Sequence, residues 1–303
     1  LLEAPSVKRT SAPEYTIDDA LKELFLERHN VEHYLDTWSN KKNMILQGAP
    51  GVGKSFIARR LSYALIGFED DQKVQTVQFH QSYSYEDFVQ GYRPNGSHGF
   101  DRKNGTFYEF RNRAINDPSG KYVFIIDEIN RGNLSKIFGE LMLLIEPDKR
   151  DPIWKTRLAY GSEGEPEFYV PENLFILGMM NTADRSLSLV DYALRRRFAF
   201  VAMAPLYGSP KFRNHLEGRG VPGDLITRIT TGMAELNQTI ENDRTNLGPG
   251  FQIGHSFFTP EKPVADPEAW YRRVIETEIY PLLEEYWFDA PETADSWRDR
   301  LLS

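Results

Sequence analysis

A glycine-rich run in the first quarter of the chain constrains the fold more than any other feature. Residues 48–55 satisfy the pattern G-x-x-x-x-G-K-[ST], after a short apolar stretch over 43–47 and before a helical pattern over 56–65. In such a strand–loop–helix arrangement, glycines let backbone N–H groups turn towards phosphate oxygens, and the helix N-terminus favours negative charge. The sequence therefore predicts a nucleotide-phosphate site formed by Gly48, Ala49, Pro50, Gly51, Val52, Gly53, Lys54 and Ser55.

A pair of acids supplies the chemistry that such a site needs. The apolar strand predicted over 122–126 is followed by Asp127 and Glu128, and folding alone requires no two adjacent carboxylates there. In nucleotide triphosphatases with this loop, the lysine reaches the β- and γ-phosphates, and the Ser hydroxyl and first acid hold Mg²⁺, the acid through water. The next acid can polarise the attacking water. We therefore predict Ser55 and Asp127 as metal-binding residues and Glu128 as a catalytic residue.

Two interpretations remain open for the polar loop after the strand predicted over 174–178. Asn181 and Asp184 have the spacing of the guanine-reading N-K-x-D loop, but Thr182 replaces its lysine. Alternatively, Asn181 is a polar sensor that contacts the γ-phosphate or the attacking water, and the order of the motifs along the chain favours this role. We predict Asn181 and Asp184 as catalytic-site residues, with an ordinary loop turn as the structural alternative.

An arginine cluster completes the set of candidate residues. Arg195, Arg196 and Arg197 lie between Leu194 and Phe198, and such a run usually forms a solvated basic face. Following a glycine loop, an acid pair and a strand-end asparagine, however, it resembles the order of parts in AAA+ ring motors. There an arginine from a neighbouring subunit accelerates phosphoryl transfer by about 10³- to 10⁵-fold. We predict this role for Arg196 and Arg197, with Arg131 as a second candidate.

Composition limits the remaining functions. The chain has 303 residues, 40% of them hydrophobic, and no apolar stretch approaches the roughly 18 residues that a membrane span requires. Its 36 basic and 44 acidic side chains give a net charge of −8, which excludes a nucleic-acid-binding surface over the whole protein but leaves local DNA contact open. Cysteine is absent, so disulfides and thiol nucleophiles are excluded. We expect a cytoplasmic protein without a membrane partner, and one without nuclease motifs of its own.

The distribution of patterns along the chain predicts two folded domains. Strands alternate with helices up to residue 201, which is typical of a parallel sheet, whereas only helical patterns follow 205–210. We predict a linker over 1–14, an α/β nucleotide-binding domain over 15–204 and a helical lid domain over 205–303. Within the second of these, we expect hairpin inserts over 91–107 and 154–169. Because the chain begins with Leu1 rather than Met, we also expect a fragment or a processed product.

Five runs of residues closely resemble the McrB family, the motor subunits of modification-dependent restriction systems. They are G-A-P-G-V-G-K-S at 48–55, F-H-Q-S-Y-S-Y-E-D-F-V-Q-G-Y-R-P at 79–94, I-I-D-E-I-N-R at 125–131, M-N-T-A-D-R-S at 180–186 and V-D-Y-A-L-R-R-R-F at 190–198. The likeness extends from Tyr15 to the end of the chain. The glycine loop is generic, whereas the runs at 79–94 and 180–186 are much more specific.

The resemblance implies an α/β AAA+ P-loop NTPase with a parallel sheet core and a smaller C-terminal helical lid. It also implies a GTPase that uses Mg²⁺, forms a homo-hexameric ring and is stimulated by an McrC-like endonuclease subunit. The implied task is DNA translocation towards cleavage near sites that contain 5-methylcytosine, with nuclease activity only when the partner is present. In that family DNA recognition lies in a domain upstream of the motor, so we expect this chain to be the motor domain alone.

Two other functions remain open on the residues themselves. One is a MoxR-like, ATP-driven remodelling factor, which a comparison of GTP and ATP turnover distinguishes from a GTPase. The other is a nucleotide-dependent assembly scaffold, in which binding rather than hydrolysis organises a partner. Glu128 and the arginine cluster argue against a scaffold, because binding alone needs neither a water-polarising acid nor a transition-state cation.

Overall fold

A five-stranded parallel sheet forms the centre of the N-terminal part of the structure. The computed structural model describes residues 12–96, 99–183 and 192–303, with side chains described from 194 onward in the last range. Within the described residues the sheet order is β2-β5-β6-β1-β7, and β3 and β4 form a separate antiparallel pair. The strands are β1 (Asn43–Gly48), β2 (Val74–Gln78), β3 (Gln90–Pro94), β4 (Phe100–Asn104), β5 (Tyr122–Asp127), β6 (Leu174–Asn181) and β7 (Ala199–Met203).

Helices connect the strands and then form the C-terminal part alone. The N-terminal part contains α1 (Ile17–Glu23), α2 (Arg28–Lys41), α3 (Lys54–Ile66), α4 (Tyr85–Phe88), α5 (Thr106–Asn116), α6 (Leu134–Phe138), α7 (Leu141–Leu144) and α8 (Tyr192–Arg197). The C-terminal part contains α9 (Pro210–Gly218), α10 (Gly223–Asn242), α11 (Pro267–Val274), α12 (Tyr280–Tyr286) and α13 (Pro291–Leu302), with a π-helical turn between α11 and α12. The predicted α/β class with a helical lid is confirmed.

Both faces of the sheet are buried, as the near-continuous apolar strands require. On β5, Val123 and Ile125 belong to the cluster beneath α1, α2 and α3, whereas Phe124 and Ile126 belong to an aromatic cluster on the other face. Phe79 and Phe88 lie in that second cluster and are buried. The aromatic segment around 79–88 therefore packs the second face of the sheet with these two rings.

A buried arginine fastens the edge of the sheet at which β1 and β6 begin. Arg150 donates to Asn43 Oδ1 at 2.5 Å, to the Leu174 carbonyl at 2.7 Å and to the Ile145 carbonyl at 3.1 Å. Burial lowers the pKa of its guanidinium to about 9. These bonds join the first residues of two neighbouring strands, so they help to fix the register that places the opposite strand ends at the candidate site.

Several local predictions differ from the structure. The hairpin predicted over 91–107 is present, but the one predicted over 154–169 is reduced to a single bridge between Thr156 and Phe168. The helical pattern over 134–145 is divided into α6 and α7 because Gly139 has a φ of +50°. At the N-terminus, Glu14 already bridges Phe68, one residue before the predicted start of folding.

The C-terminal helices have a core of their own. Tyr207, Phe212, Ile229, Leu236 and Trp270 belong to this third buried cluster. Leu206 packs instead against the cluster beneath α1, α2 and α3. The chain therefore passes from one core to the other next to the predicted boundary between 204 and 205. The boundaries of the three segments stay a prediction. In the part of the chain that the structure describes, no helix has the length and apolar character needed to cross a bilayer.

Candidate nucleotide-binding site

The glycine loop leaves β1 and turns directly into α3. Gly51 and Gly53 have φ values of +75° and +79°, in the left-handed region that favours glycine. No side chain caps the N-terminus of α3, so the first N–H groups of the helix are left to bind a ligand. The eight predicted loop residues thus lie at the carboxyl end of β1, where a phosphate group would meet the helix end.

The lysine of the loop is folded back onto the loop itself. Lys54 Nζ donates to the carbonyls of Gly48 and Ala49, each at 2.9 Å, and to Asn181 Oδ1 at 2.6 Å. Burial lowers the pKa of the Lys54 ammonium to about 8, although the nearby carboxylates of Glu128 and Asp127 oppose this shift. A phosphate that enters the loop would offer this ammonium stronger, charged acceptors than the two carbonyls.

The acid pair lies at the end of β5, two strands away from the loop. Asp127 Oδ1 accepts the Glu128 N–H at 3.0 Å. Glu128 itself has φ +50° and ψ +46°, a left-handed conformation that costs a non-glycine residue about 1 kcal/mol or more. Glu128 is one of two described non-glycine residues with positive φ. The strained turn directs its carboxylate back towards the strand between the acids and the loop.

Asn181 connects the loop to the acid pair. It is the last residue of β6, lies opposite Gly48 in the sheet register and donates through Nδ2 to Glu128 Oε1 at 2.7 Å. Because β6 lies between β1 and β5, the side chains form a continuous chain from Lys54 through Asn181 to Glu128. Asn181 therefore lies between the loop lysine and the acid pair, the position that a γ-phosphate sensor would need. Asp184, its partner in the alternative guanine-reading loop, lies outside the described residues.

The predicted arginines have different surroundings. Arg131 Nε lies 3.4 Å from Glu128 Oε2 in the same chain. Arg197 is 17% exposed and pairs at 2.9 Å with the buried carboxylate of Glu146, whereas Arg196 is 79% exposed and lies 3.6 Å from that carboxylate. Arg195 contacts the ring of Phe200. Of the two arginines predicted to act on a neighbouring subunit's nucleotide, Arg196 is the one that projects into solvent.

The residues predicted to bind Mg²⁺ fit the ion that such a site takes. Ser55 is exposed at the first turn of α3, and no hydrogen bond within the described residues occupies its hydroxyl. The described residues contain no group of three or more His, Cys, Asp or Glu side chains that could hold a metal ion by themselves. A Mg²⁺ ion at this site would take one hydroxyl and one carboxylate from the protein, and water and phosphate oxygens would complete its coordination. Ser55 and Asp127 supply that set.

Sequence reasoning missed the contacts between the lid and the glycine loop. The N–H groups of Gly254 and Ser256 donate to the carbonyls of Pro50 and Gly51, both at 2.9 Å. The Thr182 hydroxyl donates to the Gly250 carbonyl at 2.9 Å. The only sequence signal for this arrangement was the pair of glycine-containing runs at 247–250 and 254–258.

Two cavities flank the loop. One, of about 480 Å³, is lined by Pro50, Arg131 and Asn181 and by lid residues that include Phe251 and Tyr286. The other, of about 410 Å³, lies against Gly53 at the N-terminus of α3. Apolar side chains line it together with polar and charged ones, which include Glu23, Arg219 and Glu261. The first is lined by residues of the predicted phosphate site. Most of the exposed surface of the second is apolar, which suits a flat aromatic group.

A family comparison defines the class to which this fold and site belong. The model of the AAA domain of the dynein-related subfamily matches residues 43–198, so the chain belongs to the AAA family. The model of the α-helical lid domain of McrB matches residues 228–295. The nucleotide-binding core and the lid are thus matched separately, in the order in which they occur in the structure.

Similar proteins narrow the class and confirm the resemblance to the McrB family. The chain is 51% identical over 300 residues to the type IV methyl-directed restriction enzyme EcoKMcrB subunit of Escherichia coli strain K12, a match that covers 98% of this chain and 65% of that protein. It is 27% identical over 194 residues to the type II restriction enzyme BsuMI component YdiS of Bacillus subtilis strain 168, covering 52% of this chain and 56% of that protein. The chain therefore spans about two thirds of the first relative's length and somewhat more than half of the second's.

Proposed function

We propose that the chain is the GTP-hydrolysing motor of a methyl-directed restriction system. The observation that carries the proposal is the hydrogen-bonded chain from Lys54 through Asn181 to Glu128, since it joins a phosphate-binding loop to a carboxylate that can orient water. The names of the two relatives, a methyl-directed restriction enzyme subunit and a restriction enzyme component, support the biological setting. The preference for GTP over ATP is part of the proposal.

The geometry suggests how the residues act during hydrolysis. Phosphate oxygens replace the carbonyls of Gly48 and Ala49 as acceptors for Lys54, which moves the ammonium towards the β- and γ-phosphates. Asn181 Oδ1, released by Lys54, can then accept from the attacking water, and the second N–H of Nδ2 can donate to the γ-phosphate. Glu128 accepts a proton from that water. Mg²⁺, when held by Ser55 and Asp127, would neutralise phosphate charge.

Subunit assembly supplies the remaining cation. Arg196 is 79% exposed and lies 3.6 Å from the buried Glu146 carboxylate, which pairs more closely with Arg197. Arg196 is therefore the better suited of the two to reach the nucleotide of a neighbouring copy. We propose a homo-hexameric ring in which this arginine acts across each interface. We further propose that an McrC-like endonuclease subunit stimulates the ring and that DNA is translocated by it, with recognition of the modified base supplied elsewhere.

Turnover measurements test the chemistry. We expect the purified chain to hydrolyse GTP faster than ATP, and Glu128→Gln to retain GTP binding while turnover falls by about 10²-fold or more. Lys54→Ala should abolish binding, because it removes the cation from the phosphate site. Glu292→Gln, the same change at an exposed acid in the first turn of α13, is the matched control and should behave as the unaltered protein.

Assembly and partner dependence test the rest. Sizing the chain with and without a slowly hydrolysed GTP analogue should show a ring only when the nucleotide is present. DNA cleavage by the endonuclease subunit should require GTP turnover and stop with Glu128→Gln. Faster turnover of ATP than GTP would support an ATP-driven remodelling factor instead, and DNA cleavage that survives the loss of phosphate release would support a scaffold.

A further inference from the structure

The apolar cavity beside the glycine loop contains two histidines that the hydrolytic chemistry does not use. The cavity is about 410 Å³, and Phe25, Phe56, Ile57 and Leu206 are among the side chains that line it. His255 and His215 line it as well. Glu23, Arg219 and Glu261 are among its charged lining residues. A cavity whose surface is largely apolar, with polar groups around it and a phosphate loop next to it, suits the base of the nucleotide.

The proton of His255 lies on a defined nitrogen. His255 is buried, and burial lowers the pKa of its imidazole to about 4, so the ring is neutral near pH 7. Its Nδ1 accepts the Leu206 N–H at 3.1 Å. In a neutral imidazole one nitrogen accepts and the other carries the proton, so Nε2 is an N–H donor. Among the described residues, no hydrogen bond satisfies this donor.

The Nε2 donor lies on the loop side of the cavity. A Cβ built on Gly53 would lie 4.0 Å from His255 Nε2. The residues on either side of His255 are fixed to the loop, because the N–H groups of Gly254 and Ser256 donate to the carbonyls of Pro50 and Gly51. The donor is therefore held at a set position relative to the residues that bind phosphate.

We propose that His255 Nε2–H donates to O6 of a guanine base and thereby selects GTP over ATP. This inference rests on the proposed GTPase function and names the residue that reads the base. Guanine presents the acceptor O6 where adenine presents the donor N6–H₂. A fixed N–H therefore gains a hydrogen bond with guanine and opposes a second donor with adenine, and a site built in this way discriminates more strongly than an apolar pocket does.

His215 adds the complementary atom. Its ring interacts with the Pro260 carbonyl, and its Nε2 is buried without a hydrogen-bond partner among the described residues. A neutral ring that donates its Nδ1–H to that carbonyl presents a lone pair at Nε2. Guanine carries the N1–H donor next to O6, so a donor at His255 and an acceptor at His215 would match its edge and oppose the reversed pattern of adenine.

Binding of nucleoside diphosphates by calorimetry tests the proposal without hydrolysis. The probes are GDP, IDP and ADP with Mg²⁺; IDP keeps O6 and N1–H but lacks the 2-amino group. We expect the unaltered protein to bind GDP and IDP with similar affinity and ADP more weakly. In His255→Asn, whose amide oxygen can still accept from Leu206 N–H, affinity for GDP and IDP should fall roughly tenfold or more. Affinity for ADP should stay unchanged or rise, because the donor that opposes adenine N6–H₂ is withdrawn.

Two further variants make the outcome decisive. His255→Gln extends an amide N–H towards the Nε2 position and should keep most of the preference for GDP, even though the bond to Leu206 is lost. His29→Asn, the same change at an exposed histidine of α2, should keep the affinities of the unaltered protein. ADP binding that is not weakened in His255→Asn shows that the protein is folded and that its phosphate site is intact.

The possible failures are separable. If the unaltered protein prefers GDP but His255→Asn keeps the same ratio of GDP to ADP affinity, the assignment of His255 is overturned and the proposed GTPase stands. If IDP binds as weakly as ADP, the 2-amino group rather than O6 is read, and the assignment is likewise overturned. If the unaltered protein shows no preference for GDP, the proposed GTP selectivity fails first, and the assignment fails with it.

Discussion

Replacing Gly254 by alanine should detach the lid from the glycine loop. A Cβ at this position would lie 1.9 Å from the carbonyl carbon of Gly51, 2.0 Å from its oxygen and 2.2 Å from the Val52 nitrogen. The φ of Gly254 is −77° and its ψ is 163°, values open to any residue, so alanine is excluded by the approach of another backbone and not by its own torsions. Because all three nearest atoms are backbone, no rotamer change can relieve the overlap.

The expected loss follows from the bonds that must separate. The Gly254 and Ser256 N–H groups would move away from the Pro50 and Gly51 carbonyls, and each backbone hydrogen bond contributes about 1 kcal/mol net. We therefore expect Gly254→Ala to lower the free energy of unfolding by about 2 kcal/mol or more. Nucleotide affinity should also fall by roughly tenfold, because the loop loses the contacts that hold its outward-facing carbonyls.

Denaturant unfolding and calorimetric titration with GDP measure the two effects. Gly218→Ala is the matched control, since Gly218 is the last residue of α9 and a Cβ there would meet nothing within 4 Å. Alanine at this helical position should leave stability unchanged or raise it slightly. If Gly254→Ala unfolds at the same denaturant concentration and binds GDP as the unaltered protein does, the lid does not support the loop through this contact.

Three other changes probe the core, the arginines and the pH dependence. Arg150→Met should lower the free energy of unfolding by about 3 kcal/mol, because it leaves Asn43 and two carbonyls without their donor; a loss below 1 kcal/mol in denaturant unfolding would contradict this. Arg196→Ala should keep GTP binding and melting temperature but reduce turnover, whereas Arg197→Ala should also lower the melting temperature because it leaves buried Glu146 poorly paired. Turnover as fast as that of the unaltered protein in both variants would remove these arginines from the site. Lowering the pH from 7.5 to 5 should cost the folded state about 2 kcal/mol through His255, because the unfolded chain, with a pKa near 6.5, takes up the proton more readily than the folded one, with a pKa of about 4. This loss of stability should be smaller by that amount in His255→Asn. If the free energies of unfolding of His255→Asn and of the unaltered protein fall in parallel as the pH is lowered, His255 is not the group responsible.

The parts of the site that sequence predicted are those encoded by neighbouring residues. Strand, glycine loop and helix follow one another without a gap, so the pattern at 48–55 predicts both the local structure and its ligand. The same holds for the acids that follow the apolar residues of β5. The parallel sheet also follows from the alternation of strands and helices, and the order of the motifs along the chain predicts that Asn181 lies in the site.

The parts that sequence did not predict depend on long-range fit. The sequence predicts that the strand before Asn181 ends at Gly178, but it continues to Asn181 because pairing with β1 extends to Gly48. The left-handed turn at Glu128 has no sequence signal, since glutamate rarely adopts it. The requirement for glycine at position 254 comes from a backbone about 200 residues earlier, and no local pattern could reveal it.

The lid segment 250–257 links three functions that the sequence motifs treat separately. It holds the carbonyls of Pro50 and Gly51, accepts the Thr182 hydroxyl next to the sensor position and carries His255 at the apolar cavity. Lys54 donates to two other carbonyls of the same loop, those of Gly48 and Ala49. When phosphate draws Lys54 away, the loop keeps its lid contacts and loses its internal ones, so the free-energy balance of loop and lid shifts with occupancy. A base held by His255 would be bound by the same short segment that contacts the loop carbonyls. Binding of the base and of the phosphates would therefore be coupled through this segment.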